Sequence, residues 1–452
     1  GESARRLTDF GFNPAWSPDN LEIVVGTDNV VHPSTRRQPS EVFRVSLGTG
    51  ERRLVRGRDA AQPSWSPHGY RIAYWGVSSG QRIVWTVAAD GGVPVRVTRE
   101  RSLDWNPVWS PDGRQLYFAS DRSGVMNLWR VAIDERSGRV LGEPEPVTIS
   151  SRASMQFSIS RSGRQFVFAG DDLRVTLEKI GFDIAGGKAL GTAVTIADNS
   201  QWMSACDASR DGRWLVVQTL APNEHICAIR PDGTGLRQLV GGNFRNRLPR
   251  WSPDSTQIAF YSNRGGDFDI WTVRADGSKL APATALHARS LYHPIWSPDG
   301  KRLACDFGER EGLIDLSRPL AERKPQFLPP PGPGLGFTAS SWSADGRWLA
   351  GIVHRLDEVR YPGIVLYSLA DRRYVRFTER GDSPCWLSDS RRLLFLDSRE
   401  VYLLDTQARR TRRVLTAPPG SFYDDLASSP DDRMLYLLRV ADEGDIWLLS
   451  RE

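Results

Sequence analysis

The sequence predicts an all-β fold, a β-propeller of about ten four-stranded antiparallel blades. Two observations carry this prediction. A five-residue turn, Trp-Ser-Pro-Asp-Gly in its copy at residues 109–113, recurs along the 452 residues, and its copies lie 42 to 50 residues apart. A period of roughly 40 to 50 residues with strand-rich blocks is typical of four-stranded propeller blades and excludes helical solenoids.

The recurring turn has the residues of a tight connection between strands. In a type I turn Ser110 takes the first position, Pro111 the second and Gly113 the fourth, and the Asp112 carboxylate can accept from nearby backbone amides. A run of β-forming residues follows at 115–119, and a second follows at 127–131. Each block therefore predicts a small antiparallel sheet, and its repeated Asp is a turn residue with no catalytic role.

Ten copies of the turn divide the chain into blocks. Two of them, at Ile159 and Ala208, have lost the Trp and the Pro. Most blocks then continue with a third strand of the Ile-Trp-Thr-Val type and a fourth strand that ends in Leu-Thr or Val-Thr. The copies begin at Trp16, Trp65, Trp109, Ile159, Ala208, Trp251, Trp296, Trp342, Trp386 and Ser428.

The two ends of the chain complement each other. Residues 5–8 (Arg-Arg-Leu-Thr) read as a fourth strand without a blade, and the chain stops at Glu452 just after a third strand. Their pairing would complete the last blade and close one propeller over residues 1–452, which removes the open edges of the array. Because ten blades exceed the usual range of roughly four to eight, two smaller propellers are the alternative.

Bulk composition describes a globular chain. There are 59 basic and 54 acidic residues, and all but five of the basic ones are Arg, scattered without a basic block. A nucleic-acid partner is therefore not expected. No apolar run approaches the roughly 18 to 20 residues that a membrane helix needs. The chain starts without Met or a signal-like segment, so we expect a fragment of a longer protein, with a membrane contact only through a tether outside it.

The motifs of common enzymes are missing from the sequence. It contains no Gly-x-Ser-x-Gly elbow, no His-Glu-x-x-His helix and no phosphate-binding glycine loop, so no catalytic residue is predicted. The cysteines lack metal-site spacing, and they are expected to be buried free thiols; the six histidines are dispersed. No cofactor is expected, although Asp382, Asp424 and Asp425 leave a channel cation such as calcium open.

Two stretches carry a family resemblance. Residues 107–113 (Pro-Val-Trp-Ser-Pro-Asp-Gly) and 249–260, which end in Ile-Ala-Phe, resemble the TolB-like propeller repeat. Residues 127–148 resemble the propeller parts of bacterial receptor-type Ser/Thr kinases and winged-helix transcription factors. The resemblance implies an extracytoplasmic, periplasmic sensing or scaffolding propeller that binds partner proteins.

Ligand contacts are predicted at the channel mouth, where the first strand of each blade begins, because loops and strand ends there differ from blade to blade. Trp105 and Trp202 lie outside the framework Trp positions and could stack on a ligand, or pack neighbouring blades. The predicted ligand-binding residues are Asn13, Trp105, Asn106, Gln156, Trp202, Asn246, Arg247, Tyr292, His293, Asp382, Tyr423 and Asp424.

Two functional hypotheses follow from the sequence. The first is a non-enzymatic propeller that binds a protein, a peptide or a small molecule, as the sensor or scaffold region of a membrane-anchored bacterial signalling protein. The alternative is an enzymatic setting, either the substrate-gating propeller of a serine peptidase or a hydrolase or lyase acting at the channel mouth.

Overall fold

A computed structural model describes residues 5–450, apart from 29–39, 58, 79–80, 100–101, 124–125, 149–152, 200–202, 220–223, 243, 289, 309 and 356–362. The described chain is built almost wholly of antiparallel strands. It divides into two compact units: unit 1 holds residues 1–172 and 443–452, and unit 2 holds residues 173–442.

Unit 1 contains three complete four-stranded sheets. Their strands are β1 (Phe12–Trp16), β2 (Glu22–Gly26), β3 (Val42–Ser46) and β4 (Arg52–Arg56); β5 (Ala61–Trp65), β6 (Arg71–Ser78), β7 (Gln81–Ala88) and β8 (Val95–Arg96); and β9 (Asp104–Trp109), β10 (Gln115–Ser120), β11 (Asn127–Ala132) and β12 (Glu145–Pro146). A further blade begins with β13 (Ala153–Ile159), which pairs with the start of the long strand β14 (Gln165–Asp183). The first strands contact one another in the order β1, β5, β9, β13.

Unit 2 contains the end of β14, its partner β15 (Lys188–Asn199), and five complete four-stranded sheets. Those sheets are β16 (Met203–Ala208), β17 (Leu215–Thr219), β18 (Ile226–Ile229) and β19 (Arg237–Val240); β20 (Asn246–Trp251), β21 (Gln257–Gly265), β22 (Asp267–Arg274) and β23 (Ala281–Pro282); β24 (Tyr292–Trp296), β25 (Arg302–Asp306), β26 (Glu311–Asp315) and β27 (Gln326–Phe327), with a 3-10 turn at Leu320–Glu322; β28 (Leu335–Trp342), β29 (Trp348–Arg355), β30 (Ile364–Ser368) and β31 (Arg373–Arg376); and β32 (Asp382–Trp386), β33 (Arg392–Asp397), β34 (Glu400–Asp405) and β35 (Arg410–Thr416).

The sixth blade of unit 2 joins distant parts of the sequence. The last strands of the chain, β36 (Ser421–Ser428) and β37 (Met434–Ser450), lie in one sheet with β14, in the order β14, β37, β36, and β15 pairs with β14. First strands then contact each other in the order β16, β20, β24, β28, β32, β36 and back to β16. The multi-blade propeller predicted from the repeats is confirmed, and unit 2 contains a closed cycle of six blades.

The closing strand is not the predicted one. Residues 5–8 form no strand, and the sheet that contains β36 is completed by β14 and β15. The physical reason is apolar area. Residues 5–8 offer one apolar side chain, Leu7, whereas β14 brings Val175, Leu177 and Phe182 into the cores between blades. The chain divides into two compact units, and the choice between one propeller and two stays a prediction.

The recurring turn has the hydrogen bonds that its residues predict. Gly113 N–H donates to Ser110 O (3.0 Å) with Gly113 at φ 72°, the left-handed conformation that glycine adopts at no cost. The Ser110 hydroxyl donates to Asp112 Oδ1 (2.6 Å), and that oxygen also accepts Arg114 N–H (3.1 Å). The Ser110 hydrogen bond contributes most to a lowered pKa of Asp112, so this carboxylate is a turn cap, as predicted.

Pro residues before the turn produce a bulge in the first strands. Pro107, Pro249 and Pro294 lack the N–H that a strand ladder needs, and pairing shifts register at each of them. The preceding residue takes a positive φ, as in Asn106 (51°) and His293 (51°). The bulge lies on the mouth side of the turn and leaves backbone amides without a partner in the ladder.

The core lies between blades. Trp251 and Ile258 on one blade pack against Val216 and Ile226 on the preceding blade. On the opposite face of the same blade, Ile270 packs against Leu303 and Ile314 of the next blade, among others. Each blade therefore has a backward face with the framework Trp and a forward face with the Ile of the third strand.

Two further predictions concern the cysteines and membrane helices. All four cysteines are free, and Cys206 and Cys227 lie on β16 and β18, separated by β17, as predicted. Within the described ranges, no helix is both long and apolar enough to cross a membrane.

Candidate functional site

The mouth of unit 2 is the end of the six-bladed cycle at which the first strands begin. In an antiparallel blade the start of strand one, the end of strand two and the start of strand three meet at that end. Tyr292, Asp306 and Glu311 form one such row, because Asp306 pairs with Tyr292 on one side and with Glu311 on the other. The mouth therefore draws side chains from three strands of each blade.

Much of the polarity at the mouth is used to bridge neighbouring blades. Each bridge caps a backbone amide near a bulge with a side chain of the preceding blade: Gln218 Oε1 accepts Leu248 N–H (2.8 Å), and Glu311 Oε2 accepts Ala339 N–H (3.0 Å). Asp425 Oδ2 accepts Cys206 N–H (2.9 Å) in the same way across the interface that closes the cycle. Such amides are costly to bury without an acceptor, so these bridges are structural.

A buried ion pair joins two blades beside these bridges. The Arg247 guanidinium donates twice to the Glu224 carboxylate, through two N–H···O contacts of 2.6 Å. Both side chains are buried. Burial alone lowers the pKa of Arg247, but the Glu224 carboxylate outweighs it, so the net pKa is raised and the pair stays ionised. The Arg247 charge is therefore neutralised within the protein.

The row at Asp306 and Glu311 is chemically different. Glu311 is 2% exposed, and its Oε1 has no hydrogen-bond partner, while Oε2 caps Ala339. Burial and the adjacent Asp306 carboxylate raise the pKa of Glu311 well above its usual value. Thr338 of the next blade donates to Asp306 Oδ2 (3.1 Å) and lies 3.2 Å from His354 Nε2.

This carboxyl pair with its Thr and His lies at the mouth of unit 2. Thr338 and His354 are half-buried, whereas Asp306 and Glu311 are buried. One carboxylate oxygen of Glu311 bridges two blades by accepting Ala339 N–H, and the other has no hydrogen-bond partner. We call Asp306, Glu311, Thr338 and His354 the acidic recess.

The predicted mouth residues fall into both units. Asn13 and Asn106 are half-buried and Gln156 is exposed, all in unit 1, and Trp202 lies outside the described residues. In unit 2, Asp424 is exposed and the side chains of Tyr292, His293 and Asp382 are half-buried. Tyr292 packs edge-on against Tyr261, with 5.2 Å between the ring centroids. Tyr261 is in turn hydrogen-bonded to Arg247.

Four predicted ligand contacts are buried in the structure. Trp105 is 0% exposed, so its indole lies within the protein. Asn246 is also fully buried and bonds to Glu224 O, Phe244 O, Ser262 and Arg264. Arg247 and Tyr423 are also buried, and the assignment of these four residues as ligand contacts stays a prediction.

The acidic recess was missed by the sequence prediction. Asp306 and Glu311 flank a short turn between two strands, and antiparallel pairing of that hairpin alone places them opposite each other. That signal was available in the sequence. Their approach to Thr338 and His354 depends on how two blades pack, and no local pattern records it.

The suggested channel cation has no evident ligand set. Among the residues that the structure describes, no group of three or more His, Cys, Asp or Glu side chains is placed to hold a metal ion. Asp425, one of the residues suggested for it, caps Cys206 and lies 3.8 Å from the Arg250 guanidinium.

One family and several known proteins are similar to parts of this chain. Residues 4–199 match the family described as TolB beta propeller domain. The chain is 23% identical to Dipeptidyl-peptidase 5 of Porphyromonas gingivalis over 298 residues, which cover 52% of this chain and 43% of that protein. It is 32% identical to the uncharacterized peptidase YuxL of Bacillus subtilis over 80 residues, 17% of this chain and 12% of that protein.

Among solved structures, the putative TolB of Agrobacterium tumefaciens aligns with 60% of this chain and 99% of its own, at 16% identity and a TM-score of 0.47. The chain spans less than half the length of the two peptidases that it matches. Residues 4–199 carry the family match, and the same turn recurs to residue 432. The chain is a β-propeller protein, and its residues 4–199 match the TolB beta propeller domain family.

Proposed function

We propose that this chain is a non-enzymatic binding propeller whose ligand-contacting surface is the mouth of unit 2. The observation that carries the proposal is the acidic recess. Elsewhere at this mouth the buried polar groups described above are matched within the ring, whereas Glu311 keeps one oxygen without a hydrogen-bond partner. A buried polar atom without a partner costs about 1 to 3 kcal/mol, a cost that a bound ligand can offset.

The chemistry of the recess favours a ligand with an amino group or another cationic donor. Two carboxyl groups lie side by side, and the buried Arg247 guanidinium is neutralised by Glu224. An ammonium group would stabilise the ionised form of Glu311 that burial disfavours, so its binding releases a proton. Asp424 and Asp382, exposed and half-buried at the same mouth, add negative charge around the recess.

Peptides with a free amino terminus are a suitable probe for this site. Isothermal titration at two pH values should show binding of the free peptides, tighter at the higher pH while the amine is charged, and none for N-acetylated copies. Glu311→Gln keeps the acceptor for Ala339 N–H and should weaken binding at least about tenfold, or 1.4 kcal/mol. The matched control is Asp276→Asn, an exposed carboxylate at the other end of a blade. Equal affinity of native chain and Glu311→Gln would overturn the proposal.

We further propose that the binding propeller is the sensor or scaffold part of a membrane-anchored, extracytoplasmic signalling protein. The support is the resemblance of residues 127–148 to the propellers of bacterial receptor-type kinases and winged-helix regulators. Localisation of the native protein in fractionated cells tests it, and recovery in the cytoplasmic fraction would contradict it.

A second function is favoured by the comparisons. The match to Dipeptidyl-peptidase 5 covers half of this chain, and a recess that holds a peptide amine suits a propeller that admits substrates to a peptidase. An activity screen of the native full-length protein with peptide and glycoside substrates distinguishes the two. Turnover lost in Glu311→Gln would place the recess in an enzyme, whereas binding without turnover supports the first proposal.

A further inference from the structure

Both ends of the blade series in unit 1 expose residues that other blades bury. The first blade has a backward face without a preceding blade in the order β1, β5, β9, β13, and the blade of β13 and β14 has a forward face without a following one. These two surfaces are called the leading face and the trailing face below.

On the leading face, Trp16 is 62% exposed. The framework Trp at the same repeat position is 5% exposed in Trp109, Trp251 and Trp386, because there it packs on the blade before it. Leu21 (66%) and Leu54 (49%) are exposed on the same blade. An indole and two leucines left in water forfeit several kcal/mol of burial free energy, at about 25 cal/mol per Å².

On the trailing face, Ile446 is 76% exposed and Leu448 is 63% exposed. Ile446 occupies the repeat position of Ile270, which is 0% exposed and packs forward on the next blade. Val167 of β14, at the position of the buried Ala259, is 43% exposed. Leu449, whose side chain alternates with these along β37, packs backward on Tyr117, Leu128 and Phe166. The blade is thus seated on its predecessor and open on its other side.

The two faces are halves of one kind of interface. In two packed pairs of blades in unit 2, a backward face with the framework Trp lies against a forward face with the third-strand Ile.

We propose that a second copy of this chain covers both faces. The trailing face of each copy would pack on the leading face of the other, so that two series of four blades close one ring of eight. Eight blades lie within the usual range of roughly four to eight, and closure removes both open faces at once. A two-fold pair with two such interfaces is self-limiting and does not grow into a fibre.

Sedimentation equilibrium of the full chain at about 1 and 50 µM tests this proposal. We expect a dimer. Trp16→Lys and Ile446→Glu should each raise the dimer dissociation constant at least about tenfold, because a charge then enters both apolar contacts. Val93→Glu, at an 88% exposed position in unit 1, is the matched control and should leave it unchanged. Since all three positions are exposed, the melting curves of the monomers should coincide.

Mixing the two variants provides a stricter test. In a mixed pair, one interface keeps its native residues and the other places Lys opposite Glu, so the mixture should dimerise better than either variant alone. A native chain that stays monomeric at the higher concentration would overturn the proposal, as would a dimer that both variants leave intact. These readouts are independent of the peptide titrations at the mouth of unit 2.

Discussion

Units 1 and 2 contain the same repeat and differ in how the blade series ends. In unit 2, Trp251 and Trp386 are almost fully buried and the first strands form a closed cycle. In unit 1, Trp16 at the same repeat position is 62% exposed. The repeat sequence therefore builds a blade, but whether the blade has a neighbour is decided by strands supplied from elsewhere.

Strand β37 shows the difference within one element. Leu438 near its start is 0% exposed in the core of unit 2, and Leu448 ten residues later is 63% exposed in unit 1. In unit 2 this strand is flanked by β36 and by β14, whose Glu178 pairs with Arg439 at 2.7 Å. Closure in unit 2 thus joins residues that are 261 positions apart.

We propose that the two units are two propellers and that unit 2 folds without unit 1. A chain of residues 173–442 should then show one cooperative thermal transition, because the six-bladed cycle is complete within it. The control is a chain of residues 203–442, which lacks the end of β14 and β15 and should be largely unfolded. A molten fragment 173–442 would support one propeller over the whole chain.

Leu438→Ala and Leu448→Ala compare the two halves of β37 directly. Loss of a fully buried leucine side chain should cost about 2 to 5 kcal/mol of unfolding free energy. The exposed leucine should cost less than about 0.5 kcal/mol in the monomer. Urea titration at low protein concentration, with unchanged slopes, measures both. Equal losses would show that β37 is buried along its whole length.

The pH dependence of stability should differ between the acidic recess and a buried carboxyl in unit 1. Both acids have raised pKa values in the folded state: burial and Asp306 raise that of Glu311, and burial raises the pKa of Asp121 to about 6. The folded protein therefore holds protons that the unfolded chain has released, and stability falls as pH rises from each unfolded value towards the folded one.

Asp121→Asn should remove the decrease in unfolding free energy between about pH 4 and 6. Glu311→Gln should remove the decrease that continues to higher pH. Each slope amounts at most to about 1.4 kcal/mol per pH unit. Thermal melts at several pH values measure it. A native slope that survives in Glu311→Gln would show that Glu311 is ionised in the folded protein.

Removal of residues 1–8 should have a small effect on stability. Residues 5–8 belong to no strand, and the side-chain hydrogen bonds of Arg5 to Leu47 O and of Arg6 to Thr8 O are exposed. We expect a loss below about 1 kcal/mol. A large drop in the melting temperature would instead support the closing strand that the sequence predicts.

Part of the candidate site could be predicted from the local repeat sequence, and the rest depends on contacts between blades. The mouth as a location, and half-buried or exposed residues such as Tyr292, Asp382 and Asp424, followed from the repeat alone. The ion pair of Arg247 with Glu224 and the acidic recess did not, since each joins two blades. A buried arginine and an exposed one look alike in a sequence.

By itself the sequence determined the turn, the strand order within most blades and the all-β propeller fold. Those features rest on contacts between near neighbours, such as Ser110 with Asp112 and with Gln115. Only the tertiary structure decided which strands close the cycle, which face of Trp16 stays open and where Glu311 meets Thr338 and His354. These outcomes depend on the apolar area that distant strands can bury, and a repeat of about 45 residues carries no record of it.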